Sequence, residues 1–139
     1  MKILGRHLIV ELAQCDRTIL NDQHLLRQHM EEAVRRSGAT IVESVFHRYN
    51  PQGVSGVVVI AESHVSLHSW PEYGYAAVDF FTCGTVDPTV ACAYLQQALG
   101  AGQIQVREVK RGIPSPVDES LAHKPGSNDE FNSTHEAVR

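Results

Sequence analysis

Residues 53–84, GVSGVVVIAESHVSLHSWPEYGYAAVDFFTCG, hold most of the side chains with which this chain could do chemistry. Ser55, Glu62, Ser63, His64, His68, Glu72, Asp79 and Cys83 all fall within them. Three chemistries can be assembled on paper. His64 and His68 stand i,i+4, the spacing of a helical metal pair. The segment alternates like a strand, however, and no nearby cysteine or carboxylate completes an evident metal site, so no metal is expected. Ser63, His68 and Asp79 could form a hydrolase triad. There is no G-x-S-x-G elbow, and a triad is defined by geometry rather than composition. Cys83 with His68 could be a thiol nucleophile and its base, but a cysteine is more often a small buried hydrophobe unless its surroundings lower its pKa. An acidic residue followed by serine, as in Glu62-Ser63, is by itself an ordinary turn or edge pair. On a strand His64, Ser66, His68 and Trp70 share one face, with Ser63, Val65 and Leu67 on the other. Residue types and spacing thus lead to a polar, histidine-bearing sheet and stop there.

The elements that must carry these side chains are legible. Residues 6–12 (RHLIVEL) alternate as a strand, with Leu8, Val10 and Leu12 on one face. Asn21 or Asp22 can cap a helix running to Ser37, whose apolar stripe is Leu26, Met30, Ala33 and Val34. Arg35 and Arg36 suit the helix C-terminus, and Gly38 suits the left-handed stop. Residues 39–49 are rich in β-branched and aromatic side chains and read as a strand. Asn50-Pro51-Gln52-Gly53 is a turn. Residues 54–61, 63–70 and 75–83 give three more strands, with a break at 71–74. Asp87 then caps a helix with Pro88 at its first position, where a missing N–H costs nothing. Its expected stripe is Ala91, Tyr94, Leu95, Ala98 and Leu99, and Gly100 and Gly102 end it. Residues 103–109 make the last strand.

The order β-α-β-β-β-β-α-β, with short links between consecutive strands, predicts an α+β two-layer sandwich: an antiparallel sheet with two helices on one face. The other sheet face needs cover, and a second subunit supplies it economically. Residues 113–139 hold three of the six prolines and no sustained periodicity, the pattern of a disordered tail after a single domain over 1–112.

Composition excludes several classes. The chain has 139 residues, enough for one domain with a real core. Its net charge of -4 argues against a broad nucleic-acid footprint. No apolar run approaches the roughly 20 residues of a membrane span, and the first residues lack the apolar block and cleavage site of a signal peptide. Three cysteines without C-x-x-C spacing support neither a disulfide framework nor a zinc site. A cytoplasmic protein with free thiols is expected, with no nucleic-acid or membrane partner.

The 53–84 stretch as a whole closely resembles the prokaryotic S-adenosylmethionine decarboxylase proenzymes, a pyruvoyl-dependent family. Residues 1–10 (MKILGRHLIV) and the run SGATIVESVFHRYNPQGVSG fit it too, so the resemblance covers roughly 1–110. The string ESH…H…WPEYGYAA…D…FTCG is long and specific.

The resemblance implies a proenzyme that cuts itself at Glu62–Ser63 into residues 1–62 and residues 63–139. Ser63 would attack the Glu62 carbonyl and end as a covalent pyruvoyl group, Ser55 would assist the oxyanion, and His68 would remove the Ser63 α-proton. The pyruvoyl carbonyl, joined to the substrate amine as a Schiff base, takes up the electrons left by decarboxylation, the role of pyridoxal phosphate elsewhere. Cys83 matches the family acid that returns a proton to the substrate. Tyr49, standing where relatives carry phenylalanine, and Trp70 would wall the adenine. Glu72 would bind the ribose diol, and Ile3 or Leu4 would add an apolar contact. The link 84–88 looks one residue shorter than in relatives. The implied activity is conversion of S-adenosylmethionine to its decarboxylated product for spermidine synthesis, by a homodimer of processed protomers with sites at the interface. A pyruvoyl-dependent decarboxylase of arginine or ornithine would keep the same processing residues, and an unprocessed, non-catalytic homologue is the third reading.

Overall fold

The structure, a computed structural model, describes residues 3–112. Six strands form one antiparallel sheet: β1 (Gly5–Ala13), β2 (Thr40–Arg48), β3 (Val54–Ala61), β4 (Ser63–Trp70), β5 (Tyr75–Cys83) and β6 (Gln103–Arg111). Their order across the sheet is β2-β3-β4-β5-β1-β6. The helices are α1 (Arg17–Leu20), α2 (Gln23–Arg36) and α3 (Pro88–Ala98). The expected α+β sandwich is therefore present. The tail expected over 113–139 lies outside the described residues.

Both long helices start as the sequence predicts. Asp22 accepts from the Leu25 amide to cap α2, and Asp87 accepts from the Thr89 amide to cap α3, with Pro88 in its first turn. The α2 stripe Leu26, Met30, Ala33 and Val34 is fully buried. On α3, Ala91, Leu95 and Leu99 are buried as expected, whereas Tyr94 and Ala98 reach the boundary and Cys92 takes their place inside. Tyr94 instead hydrogen-bonds His29 of α2 and lies beneath the Arg36 guanidinium. A third helix, the short α1, escapes the periodicity argument. It is one turn long, and its signal is Asp16, whose carboxylate accepts from the Thr18 and Ile19 amides. Residues 71–74 break the sheet as a single 3₁₀ turn over Pro71–Tyr73, stopped by left-handed Gly74.

One sheet face packs on α2 and α3 through Leu8, Val10, Leu12, Val54, Val58, Ile60, Val65, Leu67, Ala76, Val78 and Phe80. Gly56 belongs to this face because the Phe46 ring of β2 occupies the space its Cβ would take. The strand predicted over 39–49 forms but does not alternate cleanly. It is an edge strand with a register shift between Ile41 and Glu43, and such bulges are frequent at sheet edges. The opposite face is covered by nothing within the described residues. Val45 and Val59 on it are 55% and 40% exposed, and Trp70 is 40% exposed.

Candidate active site

The open face carries most of the polar and ionisable side chains singled out above, and strand register sets out its rows. His47, Ser55, His68, Ala77 and Glu11 lie side by side on β2, β3, β4, β5 and β1. Two residues along each strand come Val57, Ser66, Asp79 and Ile9, and then Val59, His64, Phe81 and His7. Cys83 pairs with Gly5 at the end of the face.

The residues singled out from the sequence fall into two groups at opposite ends of these strands. At one end, Ser63 opens β4 and pairs with Thr82, one residue before Cys83. Ile3 and Leu4 precede Gly5, the register partner of Cys83, so they belong to this end as well. At the other end, Ser55 Oγ and His68 Nδ1 share a 2.9 Å hydrogen bond. Trp70 ends β4, with its ring centroid 5.7 Å from that of Tyr75. Exposed Glu72 follows in the 3₁₀ turn, and exposed Tyr49 leaves β2 with its ring against His47 at 4.6 Å. Ser63 and His68 are five positions apart on one extended strand, about 16 Å at roughly 3.3 Å per residue. Within one protomer, then, Ser55 and His68 are hydrogen-bonded at one end of the strands, while Ser63 and Cys83 lie at the other end on neighbouring strands, and the two pairs do not meet.

The link between β3 and β4 is tight: Ile60 pairs with Ser63, and Ala61 and Glu62 turn the chain. Ser63 has φ 106°, a region an L-residue rarely adopts. Holding a serine there costs on the order of 1–3 kcal/mol, and such strain clusters where backbone chemistry occurs. Glu62 is buried at 7% exposure. Cys83 is buried too, and burial pushes its thiol pKa up. That works against a thiolate nucleophile and keeps the proton on sulfur, as a proton donor requires.

Two paper assemblies fail. His64 and His68 share a face but lie about 13 Å apart on an extended strand, too far to hold one ion. Asp79 does not orient His68. It receives His7 Nε2 at 2.6 Å, His64 Nε2 at 3.3 Å, and the Ser66 hydroxyl on its other oxygen. Burial raises the Asp79 carboxyl pKa, but the hydrogen bonds from His64, Ser66 and His7, with the His64 charge, outweigh it and hold the pKa well below the usual carboxylate range. This three-strand cluster was missed in the sequence. His7 and Asp79 are 72 positions apart, and only the β1–β5 register joins them.

Comparison with known proteins agrees with the fold. The family model described as S-adenosylmethionine decarboxylase matches residues 6–112. A curated relative from Thermotoga maritima, named S-adenosylmethionine decarboxylase proenzyme, is 57% identical over 113 residues, 81% of this chain and 87% of its own length. One from Caldicellulosiruptor saccharolyticus bearing the same name is 53% identical, covering 81% of this chain and 92% of its own. A solved adenosylmethionine decarboxylase from Aquifex aeolicus superposes with a TM-score of 0.77 at 34% identity, over 88% of this chain and 100% of that one. A two-layer α+β protein with one open sheet face is thus matched in both sequence and shape. The chain belongs to the S-adenosylmethionine decarboxylase family.

Proposed function

We propose that the chain is a self-processing, pyruvoyl-dependent decarboxylase acting on S-adenosylmethionine, and that it works as a dimer joined through its open sheet faces. The observation that carries this reading is that Ser63 and Cys83 lie at one end of the strands and Ser55 and His68 at the other, in a sheet whose uncovered face exposes apolar side chains. Two such faces packed in opposite directions would set each Ser63 against the partner's Ser55–His68 pair.

In processing, Ser63 Oγ attacks the Glu62 carbonyl carbon. The C–N bond of the 62–63 amide breaks, a C–O ester bond forms, and the hydroxyl proton ends on the Ser63 nitrogen. Ser55 of the partner subunit donates a hydrogen bond to the intermediate oxyanion, a contribution made mainly at the transition state. His68 of the partner subunit then removes the Ser63 α-proton and expels the Glu62 carboxylate. The dehydroalanine left at position 63 takes up water and releases ammonia, leaving a pyruvoyl group on the chain 63–139. The twisted backbone at Ser63 favours this rearrangement because cleavage relieves it.

Ser63 suits that group: it sits at a hairpin end beside a buried, protonated thiol. Once formed, the pyruvoyl carbonyl supplies a sink for the electron pair that remains when carbon dioxide leaves, which no ordinary side chain offers. Cys83 returns a proton to the substrate carbon. Tyr49 and Trp70 offer exposed rings for the adenine, Glu72 offers two acceptor oxygens to the ribose hydroxyls, and Ile3 or Leu4 borders the Cys83 end. The product, decarboxylated S-adenosylmethionine, would serve spermidine synthesis in the cytoplasm. The relatives' names favour this substrate over arginine or ornithine.

The test is carbon dioxide release by purified protein from S-adenosylmethionine, arginine and ornithine side by side, with intact mass measured on the same sample. The expected result is turnover of S-adenosylmethionine alone and two chains divided at 62–63. A full-length chain that is fully active, or turnover confined to a basic amino acid, would overturn the reading.

A further inference from the structure

The His7–Asp79–His64 cluster has no part in processing or decarboxylation as proposed, yet it is built with some care. Three adjacent strands, β1, β5 and β4, each contribute one side chain. Both imidazoles turn Nε2 onto the same oxygen of Asp79, at 2.6 and 3.3 Å, and the three donor atoms all lie within 4.8 Å of one another. The Ser66 hydroxyl binds the other oxygen of Asp79, which keeps Oδ2 directed at the histidines. In a single protomer the side chains are 14%, 23% and 38% exposed for His7, Asp79 and His64, so the cluster is half-sunk in the sheet, on the face that the proposed dimer packs against its partner.

We infer that His7, His64 and Asp79 form a binding site for a late first-row divalent cation, of which zinc is the representative. A tetrahedral cation held at the roughly 2.0–2.2 Å usual for imidazole nitrogen and carboxylate oxygen needs donors about 3.3–3.6 Å apart. The His64–Asp79 edge, at 3.3 Å, already has that length; the His7–Asp79 edge, at 2.6 Å, needs to open by about 0.7–1 Å, and the two imidazole nitrogens, within 4.8 Å of each other, must settle at the same spacing. Two imidazoles and one carboxylate suit zinc, cobalt, nickel or iron; magnesium and calcium prefer all-oxygen sets. Ser66 is the outer partner that such a carboxylate requires. On binding, the cation replaces the proton that His7 Nε2 now shares with Asp79, and that proton leaves to solvent.

One neighbour opposes the ion. The Arg111 guanidinium lies 3.2 Å from His7 Nδ1 and 4.5 Å from the centroid of the Phe81 ring. A metal-bound His7 would carry its proton on Nδ1, facing another donor, so Arg111 must swing away. It is an exposed side chain on an edge strand, held there by that hydrogen bond and the Phe81 ring. Arg111 thus sets the affinity by competing, which distinguishes a metal site from a plain histidine–carboxylate bridge.

The test uses processed, full-length protein purified without a metal-affinity tag and stripped with chelator. Cobalt is titrated while the visible d–d band is followed, and zinc is then added to displace it. One cobalt per processed protomer, that is per pair of chains, is expected, with the band lost in His64→Ala and Asp79→Asn and kept in His24→Ala. Ser66→Ala should weaken binding by about 10- to 100-fold, and Arg111→Gln should tighten it. Absence of saturable binding in folded wild-type protein overturns the inference, as does binding that survives both His64→Ala and Asp79→Asn. If those two variants fail to fold, Arg111→Gln decides: unchanged or weaker affinity refutes the site.

Discussion

Mixed dimers offer a direct test of how the two halves of the site meet. Ser63 and His68 lie about 16 Å apart along β4, whereas a proton transfer needs heavy atoms within roughly 3 Å. If the halves meet across a two-fold axis, one site in a mixed dimer of Ser63→Ala and His68→Ala chains loses both residues. The other site keeps an intact Ser63 from one chain and an intact His68 from its partner. Each homodimer lacks one essential group at both of its sites. Random assembly at equal expression makes half of the dimers mixed, so about a quarter of all sites should be native, as symmetric dimers require. About half of the His68→Ala chains should be cut, and no Ser63→Ala chain should be. Differently tagged chains are co-expressed and their intact masses read, with decarboxylation followed in parallel. If His68→Ala chains remain uncut in mixed dimers that are shown to form, His68 does not act across the interface and the proposed dimer geometry is wrong.

Three further outcomes are expected. Ser63→Ala should abolish the cut, while Cys83→Ala should still be cut, at least in part, but lose about 10²–10⁴-fold in decarboxylation, the usual effect of losing one proton-transfer group; full activity in the cut Cys83→Ala protein would exclude it as the acid. His68→Ala alone should stall at the ester, which hydroxylamine cleaves and an amide resists; two chains appearing on treatment, in intact mass, is the check. Burial pushes the Cys15 thiol up to about 11, so the folded state holds that proton above the ordinary thiol range. The resulting stability is complete below the unfolded thiol pKa of about 8.5 and is lost as pH rises through the folded value. Denaturant melts between neutral and alkaline pH should therefore show a loss that Cys15→Ala reduces.

Much of the fold was legible because its signals are local. Asp22 and Asp87 announce helices through their own side chains, Pro88 fits the first turn of α3, and the strands alternate wherever one face meets the helices. What escaped was either too short for a period or dependent on register. Helix α1 is a single turn marked only by Asp16. Tyr94 fits an apolar stripe by spacing, but its hydroxyl draws it to the boundary beside His29. The catalytic candidates were found through family resemblance, since Ser55, Ser63 and Cys83 are individually unremarkable side chains. Their division between opposite ends of the strands, and the meeting of His7 with Asp79, depend on which strands lie side by side and in what register. No local pattern specifies that.

The strand order carries a consequence for the cut itself. Strands β1, β2 and β3 precede Glu62, and β4, which begins at Ser63, β5 and β6 follow it. In the sheet, however, they do not lie in two blocks: β2 and β3 are followed by β4 and β5, then by β1, then by β6. The fragments would be interleaved, joined along three seams, β3–β4, β5–β1 and β1–β6. Severing the hairpin would therefore release nothing, and all three ladders would persist without the bond. Reassembly is another matter. An intact chain gathers these strands in a unimolecular event, whereas two unfolded fragments must find each other at a rate set by concentration. Self-cleavage would thus convert a domain that can fold alone into a non-covalent complex that remembers having been one chain.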